Sequence, residues 1–338
     1  MIGVVSDPIF MDHDTGGYHP ESPLRIQYIH TLFYQSPPGI VLVDPVRATR
    51  DDIILNHDRG YVNSIARSCL PGKLVNLDMD TVCSEDSYDV GLLAAGSVLR
   101  LTEMVLNAQI DAGLAFVRPP GHHACKGSAM GFCMFNNVAV AARKAVQSYG
   151  IKRVLIVDFD VHHGNGTQES FYGDKNVLYF SSHQYPFYPG TGSMTESGKS
   201  YGTGYTVNCP LRGGQKDGHY IAVYRYILAP IIEAFEPELV LVSAGFDAHA
   251  MDPIGGMQLS SKGFGAISGI IRDGAAKVSA PVVYVLEGGY NLGALKESIS
   301  CVVSVMKGAS APEIGAIPGP ELDAMIKTHA QFWPLMHQ

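Results

Sequence analysis

Eight short runs of β-branched and other apolar residues recur along the chain, and each predicts a buried strand. They lie at residues 3–6, 40–43, 114–117, 154–158, 177–181, 205–208, 239–243 and 282–286. Between many of them, apolar positions follow helical spacing, at residues 24–33, 90–106, 137–149 and 220–235. Strands that alternate with helices predict an α/β fold, with a mostly parallel central sheet of about eight strands and helices on both faces.

The same pattern contains no internal repeat, low-complexity tract or charge run that would mark a linker. We therefore predict a single domain over residues 1–338. Residues 308–320 are rich in Pro, Gly and Ala, and they predict a loop that leads to an amphipathic helix near residues 322–333. The C-terminal segment 308–338 is expected to form a packed cap on the domain.

Composition excludes several classes of protein. With 338 residues, 46% of them hydrophobic, the chain can bury a large core, but its apolar stretches are far shorter than the roughly 20 residues that cross a bilayer. The first residues have neither the basic leader nor the apolar run of a secretory signal. We expect no membrane partner and a cytoplasmic location, where six cysteines without a CxxC pair stay reduced.

The formal net charge is -8, and lysine and arginine form no block along the chain. Proteins that bind nucleic acid draw their affinity from clustered positive charge, so we expect no nucleic-acid partner. The acidic balance favours a cationic substrate, although it is also a common route to solubility.

Polar side chains follow four of the predicted strands, at the sheet edge where open α/β proteins bind ligands. Asp160 and His162 come directly after the strand at 154–158. Alternate residues of an extended segment face the same side, so this pair can converge on one metal ion. Asp247, after the strand at 239–243, completes three protein ligands with one open position, which is the arrangement of catalytic zinc.

Further groups at the same edge suit the hydrolysis of an amide. One of the adjacent residues His122 and His123 can act as a general base, and Asp158 can orient His122. Asn165 can hold His123 in the same way, or it can simply be a turn residue between two glycines. Tyr290 follows two glycines and can donate a hydrogen bond to a tetrahedral intermediate, although a buried tyrosine with a satisfied hydroxyl is the more common finding.

Several longer motifs occur in a fixed order along the chain. They include His-Pro-Glu-Ser-Pro at 19–23, Arg-Pro-Pro-Gly-His-His-Ala at 118–124, Gly-Phe-Cys-Met-Phe-Asn-Asn at 131–137, and the segments 158–168, 189–192, 243–248, 252–253 and 287–292. Together they resemble the histone deacetylase superfamily within the arginase/deacetylase fold, most closely its class II branch and the bacterial relatives of that branch. The resemblance covers nearly the whole chain.

This resemblance implies a zinc-dependent deacylase and assigns roles to individual residues. It implies zinc, with Fe²⁺ as an alternative, bound by Asp160, His162 and Asp247. It implies a catalytic pair, His122 and His123, with Tyr290 polarising the carbonyl, which agrees with the roles given above, including those of Asp158 and Asn165. It implies a structural potassium ion bound, partly through backbone oxygens, by Asp158, Asp160, His162 and Ser181.

The resemblance also implies how an acylated amine would be bound. Gly131, Phe132 and Tyr188 are expected to line a narrow tunnel, and Asp80 to hold the substrate backbone at its rim. Polyamine-preferring relatives in animals have a glutamate after the third metal ligand, where this chain has Ile254. Bacterial acetylpolyamine hydrolases reach selectivity by loop insertions and dimer contacts instead. Acetyl-lysine is thus the expected substrate, acetylpolyamine remains a close alternative, and a homo-oligomer is compatible with both.

Two other interpretations compete with a deacetylase. An arginase-like ureohydrolase needs a second metal, but the carboxylates that would bind it are replaced by Gly164 and His249. A catalytically silent module that binds acylated lysine should have lost a ligand or the tyrosine, and this chain retains the complete set.

Overall fold

The computed structural model describes residues 1–35 and 37–335. Its strands, in chain order, are β1 (Ile2–Val5), β2 (Ile40–Leu42), β3 (Val75–Asn76), β4 (Val82–Cys83), β5 (Ala112–Ala115), β6 (Val154–Asp158), β7 (Val177–Gln184), β8 (Thr206–Leu211), β9 (Leu239–Ala244) and β10 (Val282–Leu286). Its α-helices are α1 (Leu24–His30), α2 (Arg50–Ile53), α3 (Arg59–Ser68), α4 (Ser87–Leu106), α5 (Asn137–Ser148), α6 (Asn165–Phe171), α7 (Asp217–Val223), α8 (Ala229–Phe235), α9 (Ser261–Lys277), α10 (Leu292–Met306) and α11 (Pro320–His329).

Eight strands form one sheet in the order β2-β1-β5-β10-β9-β6-β7-β8, and all their pairings are parallel. The predicted α/β fold with a central parallel sheet is confirmed. Every residue of β6, β9 and β10 is buried, which explains why these strands read as continuous apolar runs rather than as alternating ones.

The register of the central strands brings their carboxyl ends together. Asp158 at the end of β6 lies opposite Ser243 of β9 on one side and Ser181 of β7 on the other. Leu286 at the end of β10 lies opposite Ala244 of β9. The polar segments that follow β6, β9 and β10 therefore emerge side by side.

Helices cover both faces of the sheet. One group contains α2, α4, α5 and α6, in which α4 packs on β5 and β10 and α5 packs on β6 and β9. The other group contains α1, α7, α8, α9 and α10. A continuous apolar core lies around the sheet. A smaller apolar cluster is formed by side chains of α3 and β4 with their neighbours, and it includes Val62, Ile65, Cys83 and Phe135.

Several elements differ from the predictions. The antiparallel pair of β3 and β4 was not expected, because each strand has only two residues and polar neighbours. Helix α9 was also missed, since its several glycines blur the helical signal; Gly269 packs directly on Ala311 and Gly274 on Ile232, contacts that larger residues would block. Helices α2, α3, α6 and α10 were not predicted either.

The helix predicted over 220–235 is one helical segment with an interruption. A π-helical turn over Tyr224–Leu228 separates α7 from α8. Pro230 lies just beyond it, and proline both lacks an N–H and crowds the carbonyl four residues earlier, which disfavours regular α-helix at this point.

The C-terminal part of the chain packs on the edge of the sheet. Residues 308–319 contain no helix or strand, and α11 then contacts β8. His329 Nε2 lies 2.9 Å from the Asn208 carbonyl oxygen, and Trp333 donates to the Gly204 carbonyl oxygen at 2.7 Å. Residues 336–338 of the predicted C-terminal segment lie outside the described residues. No helix in the described ranges has both the length and the apolar character that a membrane span requires.

Candidate active site

The three predicted metal ligands lie together where β6 and β9 end. The ligand atoms of Asp160, His162 and Asp247 all lie within 4.8 Å of one another, and all three residues are buried. His162 Nδ1 is 3.1 Å from Asp160 Oδ1 and 3.1 Å from Asp247 Oδ2. A tetrahedral zinc ion with bonds near 2 Å would separate its ligands by about 3.3 Å, so the spacing suits such an ion.

The charges of this group also fit a cation. Burial and the nearby Asp160 charge raise the pKa of Asp247, because two carboxylates share a site with little water. In the described parts of the chain, no lysine or arginine forms an ion pair with either carboxylate. A bound dication would relieve their repulsion, and the donor set of two carboxylates and one imidazole is one that zinc accepts.

His122 lies next to the three predicted metal ligands. Its Nδ1–H donates to Asp158 Oδ2 at 3.1 Å, and its Nε2 is 3.8 Å from Asp160 Oδ1. Burial opposes the imidazolium form, but the charges of Asp160 and Asp158 outweigh it and raise the pKa of His122 to about 10. Asp158 is itself held by the Tyr179 hydroxyl at 2.9 Å.

His123 lies beside His122, with 4.0 Å between their ring centroids, but has a different electrostatic environment. Its Nδ1 is 2.7 Å from Asn165 Oδ1, so the Nδ1–H donates and Nε2 is left as the acceptor nitrogen. Burial and the positive charge of His122 lower the pKa of His123 well below its usual value. The pKa values of the two adjacent histidines are therefore shifted in opposite directions, that of His122 upward and that of His123 downward.

Tyr290 reaches the same group from the segment after β10. Gly288 N donates to Asp160 Oδ2 at 2.8 Å, and a side chain at Gly288 would collide with the carboxylates of Asp247 and Asp160. The Tyr290 ring packs edge-on against Phe132, with 5.9 Å between centroids. Loss of hydration and the nearby Asp247 charge raise its pKa well above the usual value, so the hydroxyl keeps its proton.

The predicted substrate contacts lie on loops around these buried groups. Asp80 Oδ1 accepts from Gly131 N at 3.0 Å, and the backbone of Gly131, with a left-handed φ of 54°, packs directly on the His123 ring. Tyr188 packs edge-on against His123 at 5.3 Å. Ile254 lies near Tyr290, since Asp252 accepts hydrogen bonds from the backbone N–H of both.

Comparison with known proteins decides the family. The model of the histone deacetylase domain matches residues 19–306. The chain belongs to the histone deacetylase family. Histone deacetylase 10, chloroplastic, of Oryza sativa subsp. japonica is 40% identical over 301 residues, which cover 83% of this chain and 68% of that protein. A probable deacetylase of Archaeoglobus fulgidus is 36% identical over 325 residues, covering 94% of this chain and 89% of that protein.

A solved structure agrees with this assignment. The crystal structure of the HDA15 HD domain superposes with a TM-score of 0.92 at 35% sequence identity, over 98% of this chain and 97% of that one. The chain therefore has the histone deacetylase fold and is an amidohydrolase with deacetylase activity.

The residues expected to bind potassium also lie together in this member of the histone deacetylase family. Ser181 and Asp158 are opposite each other in adjacent strands, and both side chains are fully buried. Asp158 Oδ1 accepts from Asp160 N at 3.2 Å, and Asp160 Oδ1 accepts from His162 N at 2.9 Å. The Val161 carbonyl oxygen of the same segment accepts from the backbone N–H of Gln184, the last residue of β7, at 2.8 Å.

Two histidines near the histone deacetylase motifs lie apart from the ligand group. His163 is 2.8 Å from Thr191 Oγ1 and 3.0 Å from Gln168 Oε1. His249, at a position where a ureohydrolase would have a carboxylate, is 3.2 Å from Ser261 Oγ and stacks on Phe264. Among the described residues only one group of potential metal ligands occurs, which argues against a binuclear site.

Sequence reasoning missed several buried residues that hold this site. Glu287 Oε2 accepts from Gly121 N at 2.6 Å and from His122 N at 3.1 Å, and its Oε1 accepts from the Ser243 hydroxyl at 3.0 Å. Burial raises the pKa of Glu287 to about 7.

A buried ionic group lies behind Tyr290. Arg25 Nε donates to the Gly289 carbonyl oxygen at 2.8 Å, and its Nη1 pairs with Glu21 at 3.0 Å. Glu21 also pairs with Arg118, and this pair of guanidinium groups outweighs burial and holds the pKa of Glu21 well below its usual range. Glu21, Arg118 and Glu287 are all in the motifs that carry the family resemblance, but a motif alone does not reveal which backbone groups they hold.

Proposed function

We propose that this chain is a zinc-dependent deacylase that hydrolyses the amide of N6-acetyl-lysine in a peptide or protein. One observation carries the proposal. The three buried ligand atoms within 4.8 Å of one another share the same sheet edge with the paired histidines His122 and His123 and with Tyr290.

Asp160, His162 and Asp247 would hold the zinc ion. Zinc bound there supplies Lewis acidity, which polarises an amide carbonyl and makes a water molecule a better nucleophile at neutral pH. Two carboxylates and a neutral imidazole leave the loaded site without net charge, which suits its burial.

His123 is the proposed general base. Its low pKa keeps Nε2 free to accept a proton from water, and its Nδ1–H is oriented by Asn165 at 2.7 Å. The same nitrogen then returns the proton to the leaving amine. His122 donates its Nδ1–H to Asp158 at 3.1 Å and lies 3.8 Å from Asp160 Oδ1, so as an imidazolium it would stabilise negative charge that develops beside it.

Tyr290 is the proposed oxyanion donor. Its pKa is raised, so the hydroxyl keeps its hydrogen and can donate it to the substrate oxygen as that oxygen gains charge. Gly288 allows the segment to approach the ligand carboxylates, since any side chain there would meet Asp247 and Asp160.

The loops around the site suit an extended acyl-amine chain. Phe132 and Tyr188 would line the tunnel, and Asp80 would accept hydrogen bonds from the substrate backbone at its rim. Acetylpolyamines are the second candidate, because a groove of about 350 Å³ near β4 is lined by four acidic residues and one lysine: Asp12, Asp14, Glu85, Asp86 and Lys73. The negative charge of that groove would attract a free polycation, just as it would attract a basic peptide.

We also propose a structural potassium ion near the ends of β6 and β7. Buried oxygen donors of Asp158 and Ser181, together with backbone oxygens from Asp160 and His162, are the type of ligand that a hard cation requires. Replacing potassium by sodium in the assay buffer should lower activity, and an unchanged rate would contradict the proposal.

A single assay panel tests the main proposal. Acetyl-lysine peptide, longer acyl-lysine peptides, and acetylated spermidine, putrescine and cadaverine are each turned over with and without a chelator, while metal per chain is measured. We expect one zinc per chain and the highest kcat/KM with the acetyl-lysine peptide. Activity that survives complete removal of metal would overturn the mechanism, and a preference for acetylated polyamines would select the second candidate.

A further inference from the structure

A buried carboxylate outside the proposed catalytic group joins two of its segments. Asp252 lies in the loop after β9, and its Oδ2 accepts from Tyr290 N at 2.7 Å and from Asn291 N at 3.3 Å. Its Oδ1 accepts from Ile254 N at 3.0 Å and from Gly255 N at 3.3 Å. One side chain therefore receives four backbone N–H groups, two from each segment.

The backbone on both sides of Tyr290 is held by hydrogen bonds to buried side chains. Upstream, Gly288 N is held by Asp160 at 2.8 Å, and the Gly289 carbonyl oxygen by Arg25 at 2.8 Å. The peptide N–H that follows this carbonyl belongs to Tyr290, and it donates to Asp252 Oδ2. Gly289 has a φ of 114°, so glycine freedom lies immediately before the tyrosine and the acceptor is needed to fix its direction.

We propose that Asp252 is a positioning residue for deacylation, which acts by fixing the backbone of Tyr290 and so the place of its hydroxyl. The inference rests on the role given to Tyr290 under Proposed function. Catalysis by a hydrogen-bond donor depends steeply on placement, and a shift of about 1 Å can cost about a hundredfold in rate. A carboxylate is required, because it is an acceptor at both oxygens, whereas an asparagine would turn an NH₂ group toward two N–H donors.

A double-mutant cycle in the full-length, metal-loaded enzyme tests this inference. Asp252→Asn and Tyr290→Phe are made singly and together, and kcat, KM and metal per chain are measured with an acetyl-lysine peptide. We expect Asp252→Asn to lower kcat per bound metal by about ten- to a hundredfold with KM within about twofold. In the Tyr290→Phe background, the same change should lower kcat by less than about twofold, because the donor it positions is gone.

Asp217→Asn is the matched control. Asp217 Oδ1 accepts from Ser260 N at 2.8 Å and its Oδ2 from the Ser260 hydroxyl at 2.7 Å, at the start of α9 and away from the ligand group. This variant also loses a carboxylate that accepts a backbone hydrogen bond, so it should lower the melting temperature while kcat stays unchanged in either background.

The outcomes separate the inference from the function on which it rests. If Asp252→Asn leaves kcat unchanged, or lowers it equally with and without the tyrosine hydroxyl, Asp252 has no positioning role although Tyr290 keeps its own. If Tyr290→Phe leaves kcat unchanged, the role of Tyr290 and this inference both fail. Asp252→Glu, which keeps both oxygens but displaces them, enters the same cycle and decides the question if Asp252→Asn yields no soluble protein.

Discussion

Two regions of the active site differ in burial and therefore in what their residues can do. The catalytic floor, formed by Asp158, Asp160, His162, Asp247 and Glu287, lies at strand ends, and Asp158 and Asp247 are 0% exposed. The outer loops carry Asp80, Phe132, Tyr188 and Ile254, and Tyr188 is 37% exposed.

Charges on the floor interact strongly because little water screens them, as the raised pKa of Asp247 and of His122 indicates. Asp80, on the outer loops, is only half-buried, so water screens its charge more than it screens the charges of the floor. The floor should therefore control turnover and metal affinity, while the outer loops should control which substrate is preferred.

The largest expected effect is loss of a metal ligand from the floor. Asp247→Asn should lower kcat/KM by about a thousandfold, because the loss of bound metal removes several kcal/mol of transition-state stabilisation. Turnover and metal per chain are measured together. Asp273→Asn, at an exposed position on α9, is the control, and an Asp247→Asn variant that keeps both zinc and activity would contradict the ligand assignment.

The next effect is loss of the tyrosine hydroxyl. Tyr290→Phe should lower kcat by about a hundredfold or more, as expected when an oxyanion donor is removed, while zinc content stays at one per chain. Single-turnover rates and metal analysis measure the two quantities. If the variant binds less zinc but its rate per bound zinc is unchanged, Tyr290 has a structural and not a catalytic role.

A smaller effect tests the difference between the two adjacent histidines. Asn165→Asp would place a carboxylate on His123 Nδ1 and raise its pKa, as Asp158 does for His122. His123 must be neutral to act as a base. If its pKa is raised, it becomes protonated at a higher pH as the pH is lowered, and activity falls from that pH downward. The acidic limb of the kcat/KM profile should move upward by about one pH unit. Asn176→Asp, at a solvent-facing turn, should leave the profile in place; an unmoved limb in Asn165→Asp would argue against His123 as the base.

The smallest effect belongs to the outer loops. Ile254→Glu should raise the preference for acetylspermidine over acetyl-lysine peptide by about three- to tenfold, because a hydrated carboxylate attracts a distal ammonium by about 1 kcal/mol. The ratio of the two kcat/KM values measures the preference. Ile254→Gln has nearly the same size without the charge and should leave the ratio unchanged, and equal ratios in both variants would show that position 254 does not contact the substrate.

The floor was largely predictable from the sequence, because its geometry follows from the sheet. Parallel strands that alternate with helices must end at one edge, and a D-x-H spacing in extended backbone turns both side chains the same way. These two rules predict that Asp160, His162 and Asp247 meet, and the structure places their ligand atoms within 4.8 Å of one another.

The supporting contacts could not be derived in this way. Glu287 and Asp252 act by accepting backbone N–H groups from remote segments, and no spacing in the sequence tells which N–H groups lack a partner in a helix or strand. The β3–β4 pair that carries Asp80 escaped notice for a related reason, since two-residue strands leave too short a pattern to detect. The positions of residues on the outer loops depend on contacts between remote segments. One of these is the contact of His19 Nε2 with the Asp80 carbonyl oxygen, at 3.0 Å.

The collision that a side chain at Gly288 would make with Asp160 and Asp247 has a practical consequence for engineering. Gly245 cannot accept a side chain either, because a methyl group there would collide with the Asp160 carboxylate. Libraries built to change substrate preference should keep both positions fixed and randomise Phe132, Tyr188 and Ile254, where a new side chain does not have to displace a carboxylate of the floor.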